Sequence, residues 1–155
     1  MDERKWIERI LAGDTQSFSC LVAKYEKMAY TIALRILENR EEAEEAVQDA
    51  FVKMYRALSD FHFDSKFSTW FYRIVYRTAL TALRQQRMFV SYEEAGPVDL
   101  SNDEVESATA LLEREDRKEM IARTLKKLPA DEALLLTLYY LEECSVEEIC
   151  QITEL

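Results

Sequence analysis

The sequence predicts an all-α protein, two small helical domains joined by a flexible linker. Three observations predict it. Only two Gly and two Pro occur in 155 residues, at Gly13, Gly96, Pro97 and Pro129, so long stretches lack the residues that punctuate turn-rich β folds. Apolar side chains recur at the three-and-four spacing of one helical face over most of the chain. That rhythm lapses over residues 89–108, which hold Gly96-Pro97, several Ser and many acidic groups. With 48% hydrophobic residues the chain can form real cores. The predicted division is residues 1–90, an acidic linker over 91–109, and residues 110–155.

Each element has its own signal. Trp6, Ile7, Ile10 and Leu11 lie on one face of a first helix, which Gly13-Asp14 interrupts. A second helix is predicted from about Ser17 to Leu37, with Phe18, Leu21, Val22, Tyr25, Met28, Ala29, Ile32 and Ile36 on its buried side. Asn39 is a plausible N-cap for a third. Glu41, Glu42, Glu44 and Glu45 fill its first turns, where carboxylates suit the positive helix end. Its core face is Ala43, Val47, Ala50, Phe51, Met54 and Leu58. Ser59 to Lys66 shows no helical period and reads as a loop. Ser68 or Thr69 can cap a fourth helix running to about Met88. Leu111, Leu112, Met120, Ile121 and Leu125 predict a helix ending before Leu128-Pro129, and Ala133 to Leu141 predicts an apolar one. Ser145 with Glu148 is a capping box that opens a last helix through Ile149 and Ile152.

Charge separates the segments further. The formal net charge is -10, which argues against a polyanion partner until its distribution is read. Residues 61–92 hold five basic groups and one acidic group, Asp64, while residues 93–119 hold three basic and ten acidic groups. One positive island therefore sits in an acidic chain, and local sign decides what a polyanion meets.

Several classes are excluded or disfavoured. No apolar run approaches the roughly 18 residues of a membrane span. The charged start, Met1-Asp2-Glu3-Arg4-Lys5, leads into no signal-peptide core, so a cytoplasmic protein is expected. Cys20, Cys144, Cys150 and the sole histidine, His62, match no common zinc spacing, and partly buried free thiols are expected. No metal or cofactor is expected. A di-iron helical enzyme would need Glu-x-x-His pairs, and His62 falls in a predicted loop. Enzymatic activity is not expected.

The positive island is the fourth helix. At about 100° per residue, Arg73, Arg77, Arg84 and Arg87 fall within roughly 80° of one another. Lys66 projects to the same side if the helix extends back to it. Phe67, Phe71, Ile74, Val75, Thr78 and Ala82 fall opposite. No acidic residue occurs between Lys66 and Met88. Such a helix can pack by one face and offer the other to phosphates. Trp70, Tyr72 and Tyr76 flank the stripe, Phe61 and Phe63 precede it, and aromatic faces beside cations suit unstacked bases. The same pattern is also compatible with a solvated arginine face paired to the acidic third helix, with Trp70 in the core.

These residues carry a resemblance. Glu44-Glu45-Ala46-Val47-Gln48-Asp49-Ala50-Phe51, Tyr55-Arg56-Ala57-Leu58, Phe61, Phe67-Ser68-Thr69-Trp70-Phe71-Tyr72-Arg73-Ile74 and Leu83-Arg84 match in order and spacing. Asn39 to Met88 resembles region 2 of bacterial RNA polymerase sigma factors of the extracytoplasmic-function (ECF) group. Leu128-Pro129, the apolar helix and Ser145-Val146-Glu147-Glu148-Ile149 resemble sigma region 4. The resemblance implies a transcription initiation factor whose partners are the RNA polymerase core, promoter DNA and an anti-sigma factor. It implies that Glu45, Gln48 and Asp49, with Met54 and Tyr55, bind the clamp helices of the polymerase β′ subunit. It implies that the loop Phe61 to Lys66 and the basic helix open and read the -10 element, through Phe61, Lys66, Trp70, Tyr72, Arg73, Tyr76, Arg77, Arg84 and Arg87.

Three features depart from the family's pattern. Arg77 stands where many members have Asn. The chain as written ends within or just after the first helix of the region 4 helix-turn-helix, so region 4 looks truncated before its recognition helix, and no -35 reading is expected of it. Glu143-Cys144 also stand where the family often has Gly. The alternative reading is a helical interaction module that binds polymerase or an anti-sigma factor without promoter selection.

Overall fold

The structure is a computed structural model, and it describes residues 2–90 and 112–154. Among these residues every regular element is helical. The helices are α1 (Glu3–Leu11), α2 (Thr15–Leu37), α3 (Arg40–Ala57), α4 (Phe67–Val90), α5 (Leu112–Lys127), α6 (Ala130–Tyr140) and α7 (Val146–Thr153), with a 3-10 turn at Leu58–Asp60. The linker predicted over 91–109 lies outside the described residues.

Caps explain the boundaries. Asp14 caps α2, accepting from the Gln16 N–H at 3.0 Å and the Ser17 hydroxyl at 2.9 Å, so α2 starts at Thr15, two residues before the predicted start. Asn39 caps α3 by accepting from the Glu42 N–H at 3.1 Å, as its position predicts. Neither Ser68 nor Thr69 caps α4, because the Lys66 carbonyl already accepts from the Trp70 N–H at 3.1 Å and the helix begins at Phe67. Pro129 precedes α6, whose first turn carries Asp131 and Glu132, and so α6 begins at Ala130 rather than Ala133. The Ser145 capping box is present in both directions, at 3.1 and 2.8 Å.

The first four helices close on an aromatic core. The Phe18 ring meets Phe51 at 6.5 Å and Tyr55 at 5.1 Å, joining α2 to α3. Phe71 of α4 is fully buried between Tyr25 of α2 at 5.9 Å and Phe51 of α3 at 4.9 Å. Burying one such ring contributes about 1.5–3 kcal/mol. Lys53 of α3 donates to the Thr78 hydroxyl of α4 at 3.2 Å. Ile32, Leu21, Met54 and Val75 complete this interior.

The C-terminal helices do not stand apart. α6 packs on α2 and α7 packs on α4. Leu134, Leu138, Ile149 and Ile152 belong to one continuous apolar cluster with Phe71 and Tyr72. Glu143 turns the chain between α6 and α7 with φ 52°, and the Cys144 N–H then donates to the Leu138 carbonyl at 3.0 Å. At that left-handed turn the glutamate meets the steric cost of an L side chain. Met120 and Ile121 of α5, which the periodicity counts as apolar face, are exposed.

Candidate nucleic-acid interface

α4 separates its two faces as the sequence predicts. Phe67, Phe71, Val75, Thr78 and Ala79 are buried, and Ile74 and Ala82 are partly covered. Arg73, Arg77, Arg84 and Arg87 are exposed together on the other side, with Lys66 just ahead of the helix. The buried side fixes the helix on α2 and α3 and thereby fixes where the cations stand.

Partners on this face come from the C-terminal helices, not from α3. Lys66 Nζ lies 2.9 Å from Glu148 Oε1. Arg73 Nη2 donates to Glu154 Oε1 at 2.7 Å, and Arg77 donates to the same oxygen. The hydrogen bonds from Arg77 and then Arg73 hold the Glu154 carboxyl below the usual carboxylate range. Lys66, followed by the Ser145 N–H, does the same to Glu148, and Glu148 in turn raises the Lys66 ammonium. Among the described residues Arg84 and Arg87 have no ion-pair partner, and no ion pair joins α3 to α4.

The aromatic residues divide. Trp70 is half-buried, 5.0 Å from the Phe61 ring and 5.7 Å from the Phe67 ring. Tyr76 is half-buried, and burial, then Asp131 and Glu154, push its hydroxyl up. Phe61 and Tyr72 are buried, so in this conformation neither ring offers a face to a base. Phe61 is enclosed by Phe63, Phe67 and Trp70. The Tyr72 hydroxyl donates to Glu142 Oε2 at 2.9 Å, and burial, then that carboxylate, push it up. Phe63 is the exposed aromatic of the loop; it sits at φ 60° with the Arg4 guanidinium 4.8 Å from its ring centre.

A second surface lies on α3. Glu45, Gln48 and Asp49 are exposed, and so is Tyr55. Met54 is fully buried, which removes it from any partner surface: at its register on α3 it faces the core that Phe51 and Leu58 share. Val52, not singled out in the sequence, is exposed at the helical spacing that joins Gln48 and Asp49 to Tyr55.

Cys20 and Cys150 are exposed free thiols rather than partly buried ones, and Cys144 is half-buried, its thiol pushed up first by burial and then by Glu148. Among the described residues no group of three or more His, Cys, Asp or Glu is placed to hold a metal ion. No helix among them is long and apolar enough to cross a membrane.

A helical bundle with a cation stripe on one helix and a second helical unit packed across it defines a helical protein of the nucleic-acid-binding class. Comparison with known proteins narrows this. The Sigma-70 region 2 family matches residues 21–88, and the Sigma-70 region 4 family matches residues 118–155. RNA polymerase sigma-H factor of Pseudomonas aeruginosa is 32% identical over 98% of this chain and 82% of its own length. The ECF RNA polymerase sigma-E factor of Escherichia coli K12 is 31% identical over 96% of this chain and 81% of its own length. The chain belongs to the sigma-70 family, in its ECF group, a family of transcription initiation factors. Among solved structures, an engineered region 2 of sigmaE in complex with GTAAAA matches with TM-score 0.55 and 34% identity, covering 58% of this chain and 94% of that one. CnrH in complex with the cytosolic domain of CnrY shares the fold, with TM-score 0.64 and 22% identity over 99% of this chain and 83% of that one.

Proposed function

We propose that this sigma factor seats on the polymerase core through the outer face of α3 and holds the unpaired -10 strand of a promoter along α4. Residues 1–90 form the region 2 unit, 91–109 the linker and 110–155 the region 4 unit. One observation carries the reading: four arginines exposed on one face of a helix that has no acidic residue, backed by a buried aromatic core. Phosphates pair with such a stripe, and displaced bases stack on neighbouring rings. Trp70 and Tyr76 are the half-buried rings beside the stripe, and Phe63 is the exposed ring ahead of it. The likeness to a region 2 in complex with GTAAAA supports this choice of ligand.

On α3, Glu45, Gln48, Asp49 and Tyr55, with Val52 among them, form the polymerase surface that binds the β′ clamp helices. The polymerase performs the chemistry, so the chain acts in the cytoplasm as a non-enzymatic factor without a cofactor. An anti-sigma factor is the proposed negative partner; the shared fold with CnrH, solved with CnrY, supports it.

The test uses core polymerase and a labelled single-stranded GTAAAA oligonucleotide. Salt-sensitive binding is expected for the full chain with core enzyme. Arg84→Ala is expected to weaken it about fivefold at about 0.1 M salt, the loss of one phosphate contact. Binding that ignores both salt and Arg84 would refute the assignment of α4.

A further inference from the structure

The loop ahead of α4 is braced from outside the stretches that the two sigma families match. α1 lies before residue 21, where the region 2 match begins. It is built into the bundle all the same. Ile7 is fully buried and Ile10 nearly so, and α1 packs on α2 and on the 3-10 turn that leads into the loop. At its start Glu3 accepts from Lys24 Nζ at 2.5 Å and from the Tyr25 hydroxyl, and the Tyr25 ring lies 5.4 Å from Phe67. The next residue, Arg4, pairs along the helix with Glu8 at 3.4 Å and sets its guanidinium 4.8 Å from the centre of the Phe63 ring.

Phe63 is the strained residue of the loop. It combines a large apolar ring, 41% exposure and φ 60°. Burial does not offset that conformation, and a bulky side chain seldom adopts it. Such strain persists only where neighbours over-determine the local geometry, and it collects at working surfaces. Two neighbours hold the ring. Phe61 meets it at 4.7 Å, tilted by 54°, and Phe61 is itself packed against Phe67 and Trp70. Arg4 supplies the other contact, a cation over an aromatic face.

We propose that Arg4 is a positioning residue for strand capture: it pins Phe63 in its left-handed conformation, and the pinned ring is the platform on which one unpaired base stacks ahead of the α4 stripe. This rests on the reading of α4 as the strand-holding helix. Arg4 acts through the ring and does not itself contact the strand. A base stacks on an open aromatic face whatever its identity, so the platform adds affinity for unpaired DNA and little sequence preference. A ring fixed before binding spares the ordering that a free side chain would undergo on capture. α1 thereby belongs to the promoter-strand site although none of its residues touches DNA.

The experiment is a double-variant cycle on the full chain with core polymerase, read by fluorescence anisotropy with single-stranded GTAAAA. Phe63→Gly removes the ring and leaves a left-handed backbone without strain. Arg4→Gln removes the cation. Both are exposed positions, so the variants are expected to melt near the native chain. Phe63→Gly is expected to weaken binding roughly tenfold, the scale of one stacked base. Arg4→Gln is expected to weaken it about threefold in the native background, the scale of an exposed cation–aromatic contact, and not at all in the Phe63→Gly background. Arg4→Lys, which keeps a cation at the ring, is expected to recover part of that loss. Oligonucleotides carrying 2-aminopurine at each adenine in turn supply a spectroscopic readout. Emission at one position is expected to change on binding to the native chain and not on binding to Phe63→Gly. An equal loss from Arg4→Gln in both backgrounds would overturn the positioning role, as would no loss in either. Unchanged binding by Phe63→Gly, with Arg84→Ala still weakening it, would overturn the platform and leave the α4 reading standing. Binding by the native chain that ignores both salt and Arg84 would overturn the α4 reading and this proposal with it.

Discussion

Replacing Met54 and Tyr55 separately by Ala divides the α3 helix into its core and its partner surface. The two residues are adjacent in sequence and opposite in environment. Met54 is fully buried, and its truncation leaves a cavity among α2, α3 and α4. Such a change costs about 2–5 kcal/mol, a large share of the roughly 5–15 kcal/mol that stabilises a domain. Tyr55 is 47% exposed and meets the Phe18 ring edge-on at 5.1 Å. Loss of that ring pair costs about 0.5–1.5 kcal/mol of stability beyond the area the side chain buries. On the proposed polymerase surface the ranking is expected to reverse. An exposed tyrosine at the centre of an interface contributes about 2 kcal/mol or more on truncation, which is roughly a 30-fold loss of affinity. Urea denaturation followed by circular dichroism measures the first quantity, and titration of labelled chain with core polymerase measures the second. Tyr55→Ala should melt close to wild type and bind core poorly, while Met54→Ala should melt early and bind normally in proportion to its folded fraction. Normal core binding by Tyr55→Ala, or a larger stability loss for Tyr55→Ala than for Met54→Ala, would refute the division.

Three further outcomes follow from the geometry. Glu143→Gly relieves the left-handed turn between α6 and α7 and should stabilise the chain by about 0.5–1 kcal/mol, since the lost strain exceeds the added freedom of the unfolded glycine; a differential melt checks it, and destabilisation would contradict it. Asn39→Ala removes the α3 cap and should cost about 1 kcal/mol in the same melt, without changing salt-dependent DNA binding. Closure of α7 on α4 should depend on pH. Glu148 and Glu154 have carboxyls depressed by Lys66, Arg77 and Arg73, so their contribution is present above the ordinary value of 4.5 and is lost as pH falls through the depressed folded values. Lys66 is raised, so its contribution persists up to its ordinary 10.5 and is lost as pH rises beyond. The distance between spin labels on the exposed Cys20 and Cys150, in a Cys144→Ser background, should therefore lengthen in acid while far-UV circular dichroism still reports helix; a distance constant until the helices melt would contradict it.

Much of this was legible from spacing. The apolar back of α4, the Asn39 cap and the Ser145 capping box are local features, and local features follow from residue order. Tyr72 and Phe61 show where that stops. Both lie beside cations in the sequence, yet burial among residues distant in the chain decides that they pack inward. Met54 is the opposite case: its helical register already puts it on the core face of the third helix, and only the resemblance placed it near a partner surface. The ion pairs of Lys66, Arg73 and Arg77 join residues 77 to 82 positions apart. The only partner the sequence suggests for the stripe is the acidic third helix, whereas the pairing with α7 is tertiary. Phe63 was visible only as an aromatic in a loop without period, and its left-handed backbone carries no sequence mark.

The most direct test of α4 as the strand-holding helix is the salt dependence of single-stranded GTAAAA binding by the chain on core polymerase. Each phosphate neutralised on a single strand contributes about -0.7 to the slope of log affinity against log salt. Arg84→Ala and Arg87→Ala should each reduce the magnitude of the slope by about that amount, and Lys53→Ala, whose ammonium is turned toward Thr78, should leave it unchanged. A slope indifferent to Arg84 and Arg87, or one that responds equally to Lys53, would contradict the account.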